Sequence, residues 1–338
     1  MRCLTLADAL SSKGARCQFI CREHHGHLIE KIRSKGYDVH GLPVGREADT
    51  DLAHSLWLGA SQTEDAQACV SVLAQLRPDW LVVDHYALDI RWETALSVHC
   101  DRMMVIDDLA DRRHDCNLLL DQNFGSSTMR YAGLVPSNCQ QFHGPKYALL
   151  NPAYADWRAT RGRKNDVIGR VMVYFGGGAD PADLAGMALR ALSHEALTSF
   201  EVDVVMGAVS AHRQTLEALA TQRGRVTLHT SLPDLVGVMA NADMAIGAGG
   251  ATMWERCCMS LPSLVISIAE NQRPACKALA DENLIEYLGH VDCVQADSMT
   301  DAILRFRNDF ARLERRRQAC GALVDGMGVE RVVAFLLP

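Results

Sequence analysis

Strand-like and helix-like patterns alternate along the whole chain, and this alternation predicts an α/β protein with parallel sheets. At 338 residues the chain is too long for one ordinary core and suits two domains. The segment 158–170 is the best boundary, because it is polar and basic and carries Gly162 and Gly169. We therefore predict two Rossmann-like domains, 1–157 and 168–338, that face each other across a cleft.

The first half begins with a helix at 2–13, which places Leu4, Leu6, Ala7 and Leu10 on one face. The rest of this half is predicted to contain strands at 17–21, 37–42, 80–84, 103–107 and 117–121 and helices near 28–35, 63–76 and 90–99. The second half is predicted to contain strands at 171–175, 200–206, 226–229, 244–247 and 263–267, a helix from Pro181, and closing helices at 299–309 and from 313.

The start of the chain does not fit a doubly wound domain, which normally begins with a strand at the centre of its sheet. A missing central strand would leave apolar faces and unpaired backbone groups on two neighbouring strands. Either the domain is rearranged or a segment of roughly 15–25 residues, one strand with its loop, lies upstream of Met1. We expect the upstream segment.

Composition excludes several classes of function. A net charge of −7 and a pI near 6.0 argue against a general nucleic-acid binder. No apolar run reaches the roughly 20 residues that span a bilayer, and residues 1–8 are amphipathic and unlike a signal peptide. The 12 cysteines form no CxxC pair, which indicates small apolar residues in a reducing cytoplasm. We expect a monomer.

Three neighbouring histidines, His24, His25 and His27, look at first like a metal cluster. They have no acidic or cysteine partner at ligand spacing, so we interpret them as a solvated loop or as sugar contacts. The sequence therefore predicts neither a metal nor a cofactor.

The most informative motif is a run of small residues that follows the strand at 244–247. Gly249 and Gly250 remove side chains that would keep a ligand from the backbone, and Ala251 and Thr252 open a helix whose free N–H groups suit a diphosphate. Glu255, one turn into that helix, can accept hydrogen bonds from both hydroxyls of a ribose. A tight strand-to-helix turn that binds nothing is the alternative interpretation.

Candidates for the chemistry in the first half follow predicted strands. Tyr86 can orient water or a sugar, or pack at the rim, and His85 is a possible base or a structural hydrogen-bonding group. Asp107 or its neighbour Asp108 can contact sugar or water, or cap the next turn. Asn123 can reach an N-acetyl group.

Further candidates for ligand contact lie in the second half. Gly176 and Gly177 would let a loop approach the sugar or phosphate, and Asn271 and Gln272 are expected near the same groups.

Six segments along most of the chain stand in the order found in a known family. They are MRCLTLA at 1–7, DHY at 84–86, DD at 107–108, YAGLVP at 131–136, FGG at 175–177 and GGATMWE at 249–255. The chain thereby resembles the pseudaminic-acid pathway hydrolases of UDP-2,4-diacetamido-2,4,6-trideoxy-β-L-altropyranose. A looser likeness, mainly in the second half, is to the transferase that adds N-acetylglucosamine in peptidoglycan synthesis.

The resemblance implies a GT-B fold, a small-molecule UDP-sugar as the ligand, and metal-independent hydrolysis with inversion at the anomeric carbon. In that family a Gly-x-Gly-His segment, whose histidine is the proposed base, precedes the Met-Arg-Cys with which this chain begins. The chain as written is therefore expected to be a poor or inactive hydrolase. Two alternatives remain open, a GT-B glycosyltransferase with the same UDP site and a non-catalytic UDP-sugar-binding protein.

Overall fold

A computed structural model describes most of the chain as two compact units. The first unit comprises 1–149 and 328–338, and the second comprises 150–327. The residues that the structure describes are 1–45, 49–160, 168–176, 180, 182–207, 211–230 and 232–337.

Strands and helices alternate in the first unit. In chain order its elements are α1 (Arg2–Ser12), β1 (Gln18–Arg22), α2 (Ile29–Ser34), β2 (Asp38–Leu42), α3 (Gln62–Leu76), β3 (Trp80–Val83), α4 (Ile90–Leu96), β4 (Arg102–Ile106), β5 (Leu118–Asp121) and β6 (Gln140–His143).

The second unit repeats this alternation. Its elements are α5 (Ala153–Thr160), β7 (Arg170–Tyr174), α6 (Leu184–Leu192), β8 (Glu201–Met206), α7 (Arg213–Arg223), β9 (Val226–Thr230), α8 (Val236–Asn241), β10 (Met244–Ala248), α9 (Thr252–Cys258), β11 (Ser263–Ser267), α10 (Arg273–Asp281), β12 (Glu286–His290), α11 (Ala296–Asn308) and α12 (Phe310–Leu323). The chain then returns to the first unit as α13 (Gly328–Leu336).

The strands of the first unit form two separate parallel sheets. Among the described residues β1 pairs with β2, and the other sheet has the order β3-β4-β5-β6. One buried cluster joins the two sheets, because Leu42 of β2 lies in it together with Leu73 of α3 and Val83 of β3. On the other face of the larger sheet, Leu6 of α1 and Val332 of α13 pack into a second cluster.

The second unit has one parallel sheet in the order β12-β11-β10-β7-β8-β9. Every residue of β10 and β11 is buried, as expected for central strands covered on both faces. β7 and β10 lie side by side, with Gly247 opposite Tyr174, so the turns that follow them emerge at the same edge of the sheet.

These parallel sheets confirm the predicted α/β class. Two strands, β6 and β12, have no counterpart among the predicted elements. The last helix, α13, lies with the first unit, although the predicted second domain runs to residue 338. In the part of the chain that the structure describes, no helix is long and apolar enough to cross a membrane.

Candidate active site

The turn after β10 is built by close internal packing. A β-carbon added at Gly249 would overlap the Sγ of Cys276 on α10, and one added at Gly247 would overlap the guanidinium of Arg256. A β-carbon at Gly250 would meet only the Nε2 of Gln272, at an ordinary 3.5 Å. Packing therefore requires the glycines at 247 and 249, whereas position 250 has room beside Gln272.

Gln272 belongs to this turn through its side-chain amide. Its Oε1 accepts a hydrogen bond of 2.9 Å from the backbone N–H of Ile268, which holds the Nε2 beside Gly250. Asn271 is exposed in the same short turn, Glu270–Gln272. The structure thus brings Gln272 together with Gly249 and Gly250.

Glu255 on α9 has an unusual environment for a carboxylate. The hydroxyl of Tyr154 on α5 donates a hydrogen bond to it, and the Oε2 is buried without a hydrogen-bond partner. Burial penalises the charged form and raises the pKa of Glu255 to about 7, although the Tyr154 hydroxyl and Arg256 oppose the shift. One carboxylate oxygen therefore lacks the donor that would stabilise its charge.

Arg256 fixes the turn from behind. Its side chain is buried, and its Nη2 donates a hydrogen bond of 2.7 Å to the carbonyl oxygen of Ala248. Burial lowers the pKa of this guanidinium, because few groups replace its lost hydration. The buried cation ties the carboxyl end of β10 to the helix that carries Glu255.

The turn after β7 lies at the same sheet edge. Gly176 has a φ of +110°, a conformation that side chains rarely adopt, with open space around its α-carbon. Gly177 lies outside the described residues.

Candidates in the first unit follow neighbouring strands. Tyr86 comes shortly after β3, Asp107 directly after β4, and Asn123 shortly after β5, and these strands pair side by side in parallel. The three residues therefore follow the carboxyl ends of neighbouring strands of the β3–β6 sheet. Asn123 is half-buried, and its backbone N–H donates to the buried carboxylate of Asp121 at 2.9 Å.

Asp107 has no exposed surface, and its contacts hold the loop that follows β4. The guanidinium of Arg112 lies 2.8 Å from one carboxylate oxygen, and the other accepts from the N–H of Ala110 and the hydroxyl of Tyr131. Burial favours the neutral acid, but Arg112 and His114 outweigh it and keep the pKa of Asp107 below its usual value. The side chain is thus committed to the fold.

His85 is fixed by a local hydrogen bond. Its Nδ1 accepts from the backbone N–H of Ala87 at 3.1 Å, so the neutral ring carries its proton on Nε2. Burial lowers the pKa of this imidazole, which favours that neutral form. In this arrangement His85 can donate a hydrogen bond to a ligand, but it cannot take up a proton at Nε2.

Tyr86 lies beside a carboxyl group and an aromatic ring. Its hydroxyl donates a hydrogen bond to Asp108, and its ring centroid is 5.4 Å from that of His54. Burial raises the pKa of the Tyr86 phenol, which keeps the hydroxyl protonated. Asp108 is only partly exposed, and burial raises the pKa of its carboxyl.

Two contributors to these sites were not predicted from the sequence. Tyr154 has no motif around it, and its contact with Glu255 depends on the tertiary fold. The carboxylate of Asp121 is enclosed by Ser126, Arg130 and Tyr131, whose spacing has no recognisable pattern. Among the described residues, no group of three or more His, Cys, Asp or Glu side chains is placed to hold a metal ion.

Two bacterial proteins are similar to this chain. It is 29% identical over 203 residues to the spore coat polysaccharide biosynthesis protein SpsG of Bacillus subtilis (strain 168), a match that covers 60% of this chain and 59% of that protein. It is 20% identical over 280 residues to the UDP-2,4-diacetamido-2,4,6-trideoxy-β-L-altropyranose hydrolase of Campylobacter jejuni subsp. jejuni serotype O:2, covering 82% and 91% of the two chains. No protein-family model matches.

Solved structures share the fold. UDP-GlcNAc 2-epimerase from Neisseria meningitidis bound to UDP-GlcNAc superposes with a TM-score of 0.66 at 13% identity, covering 100% of this chain and 97% of that one. At this identity the likeness shows the fold alone, and it confirms the predicted GT-B type of α/β protein.

Proposed function

We propose that this protein hydrolyses UDP-2,4-diacetamido-2,4,6-trideoxy-β-L-altropyranose to UDP and the free sugar, a step of pseudaminic acid synthesis. The similarity to the Campylobacter jejuni hydrolase, which extends over 82% of this chain, supports this substrate. The likeness to a polysaccharide biosynthesis protein supports a role in building sugars. The fold is shared with an epimerase solved with UDP-GlcNAc bound.

The observation that carries the proposal is the unpartnered Oε2 of Glu255. A buried carboxylate oxygen without a donor costs free energy, which a ligand that brings hydroxyl groups can recover. The two adjacent hydroxyls of a ribose supply such donors. The hydroxyl of Tyr154 already hydrogen-bonds to the carboxylate and fixes its position. The unpartnered oxygen is therefore oriented before the ligand binds.

We assign UDP binding to the second unit. Gly250, Ala251 and Thr252 offer backbone groups at the start of α9, where the first N–H groups of a helix have no partner inside it. The Nε2 of Gln272 lies beside this turn and can donate to a phosphate oxygen. Contacts from Gly176, Gly177 and Asn271 to the sugar or phosphates are part of the same proposal.

We assign the sugar chemistry to the first unit, where Tyr86, His85 and Asn123 offer polar groups at one sheet edge. The oxygen of a water molecule forms a bond to the anomeric carbon while the bond from that carbon to the diphosphate oxygen breaks. The electron pair of the broken bond leaves with UDP, and one proton of the water passes to a base. Attack opposite the leaving group inverts the configuration.

The test is release of UDP from the altrose-configured UDP-sugar by the wild type and by Glu255→Gln. The variant keeps the shape but loses the charge, and a hydrogen bond to a charged group contributes roughly 1.5–3 kcal/mol. We therefore expect KM to rise at least about tenfold while the fold is kept. Glu217→Gln, an exposed site on α7, is the matched control and is expected to match the wild type.

Two results would contradict the proposal. UDP release that requires an added sugar acceptor would identify a glycosyltransferase. Tight binding of UDP without turnover of the donor would identify a non-catalytic binding protein.

A further inference from the structure

Three aromatic rings from two separate loops of the first unit contact one another beside the candidate active site. His54 and Trp57 lie in the loop that leads from β2 to α3, and Tyr86 follows β3. The ring centroid of Trp57 is 4.5 Å from that of His54 and 6.0 Å from that of Tyr86. Trp57 is therefore next to a residue that the proposed function assigns to the sugar.

Trp57 is the most exposed of the five tryptophans of this chain. Its exposed fraction is 58%, compared with 46% for Trp157, and the other three are buried or half-buried. Its chain neighbour Leu56 is 71% exposed. Single exposed apolar residues are common on protein surfaces, but here two adjacent large ones lie beside a candidate site. Trp57 thus offers apolar surface that the first unit leaves exposed.

The exposure of Trp57 does not come from a loosely packed loop. Ser55 and Leu58, on either side of it, are buried. The Nε2 of His24 donates a hydrogen bond of 3.1 Å to the carbonyl oxygen of Leu58, and a β-carbon added at Gly59 would overlap the ring of His24. These contacts hold the loop in place, so a ligand that covers the indole does not have to order the loop first.

We propose that Trp57 binds the apolar substituents of the sugar and thereby helps to determine which UDP-sugar this protein selects. The inference rests on the proposed function and adds a specificity-determining contact to it. The proposed substrate carries three methyl groups, one at C6 and one on each acetamido group, so its sugar has more apolar surface than a common hexose. The electron-rich face of an indole attracts C–H groups, and aromatic side chains commonly line ligand sites.

Polar and apolar groups would divide the recognition of the sugar between them. His85 can donate a hydrogen bond from Nε2, and Tyr86 carries a hydroxyl, so both can bind sugar oxygens. Trp57 covers the methyl groups instead. A hydroxyl in place of the C6 methyl would lose water without gaining a partner on the indole face. An apolar contact of this kind discriminates between related substrates by roughly tenfold to a hundredfold.

The experiment measures binding by calorimetry, so that it does not depend on turnover. The ligands are UDP, the altrose-configured UDP-sugar, and UDP-GlcNAc, whose sugar has one acetamido group and a hydroxyl at C6. The proteins are the wild type, Trp57→Ala and Trp57→Phe in the full chain. Val98→Ala, which shortens an exposed apolar side chain of the same unit, is the control.

Trp57→Ala is expected to weaken binding of the altrose-configured UDP-sugar by about tenfold or more, because apolar sugar surface then stays in water. UDP affinity is expected to stay at the wild-type value, since UDP has no sugar for Trp57 to contact. The preference for the altrose-configured ligand over UDP-GlcNAc should fall in Trp57→Ala and be partly restored in Trp57→Phe, which keeps an aromatic ring. Val98→Ala should match the wild type with all three ligands.

Three results would overturn the inference. A Trp57→Ala affinity for the altrose-configured UDP-sugar within about twofold of the wild type would show that the indole does not contact the sugar. Equal losses for UDP and the UDP-sugar would assign Trp57 to the nucleotide or to the fold, and a matching fall in melting temperature would identify the fold. Self-association of the wild type that is lost in Trp57→Ala would assign the indole to a second copy of this chain.

Failure of the proposed function gives a different pattern. A wild type that binds the three ligands as expected but releases no UDP from the sugar would refute the hydrolysis and leave the Trp57 contact intact. A wild type that hydrolyses the UDP-sugar, with Trp57→Ala unchanged in affinity, would refute the contact alone.

Discussion

Replacing Glu255 by glutamine should stabilise the protein at alkaline pH. The pKa of this carboxyl is raised from 4.5 to about 7, so the folded state holds a proton that the unfolded chain releases between these values. Stability from this group is fully present below pH 4.5 and is lost as the pH rises through 7. A shift of one pKa unit corresponds to about 1.36 kcal/mol. Because of this residue, the free energy of unfolding of the wild type should therefore fall by about 2–3 kcal/mol between pH 5 and pH 8.

Glu255→Gln has no charge to bury and can still accept from Tyr154, so it should escape this loss. Urea unfolding of both proteins at pH 5 and pH 8 measures the effect, with Glu217→Gln as the control. The difference in unfolding free energy between wild type and Glu255→Gln should grow with pH in favour of the variant. If the free energy of unfolding depended on pH equally in the wild type and in Glu255→Gln, the account of a buried, poorly compensated carboxylate would be refuted.

Further predictions concern the same unit. The affinity for uridine should fall by roughly tenfold for each pH unit below 7, because the ribose hydroxyls need the charged form of Glu255. Calorimetry should show this pH dependence of uridine affinity in the wild type and not in Glu255→Gln. Tyr154→Phe removes a donor that favours the charged carboxylate, so the same pH dependence should move to higher pH. Gly249→Ala should lower stability by roughly 1–3 kcal/mol through its overlap with Cys276, and Cys276→Ala should recover part of the loss. Gly250→Ala should leave the melting temperature nearly unchanged and weaken UDP binding.

Three of these predictions have a specific contradicting result. A pH dependence of uridine binding that survives in Glu255→Gln would assign it to another group. A shift to lower pH in Tyr154→Phe would mean that the tyrosine does not stabilise the charge. Equal melting temperatures for Gly249→Ala and the wild type would show that α10 can move away.

The core of the fold could be predicted because buried strands have a strong sequence signal. The runs at β10 and β11 are short and apolar, and parallel sheets bury such strands on both faces. The strands β6 and β12 have no such signal, since they lie at sheet edges and include polar residues. Their pairing is decided by the neighbouring strand.

The candidate site could be proposed in outline, because the glycine turn after β10 places Gly250 and Glu255 by chain geometry, and Gln272 follows the neighbouring strand β11. The sequence could not show that Gly249 is required by Cys276, or that Tyr154 reaches Glu255. Those contacts join residues that are far apart along the chain. A residue's neighbours in the sequence say little about such partners.

Adjacent carboxylates are a further limit of sequence reasoning. Asp107 and Asp108 are chemically identical and follow the same strand. Arg112 and Tyr131 neutralise and enclose the first, whereas the second faces Tyr86, and only the tertiary structure decides this.

The most direct test of the central claim is hydrolysis of the altrose-configured UDP-sugar in water enriched in oxygen-18, followed by mass spectrometry of both products. Attack at the anomeric carbon predicts the label in the free sugar and none in UDP, and proton NMR of the first product formed should show the inverted anomer. Label found in the terminal phosphate of UDP would mean cleavage at phosphorus and would contradict the account.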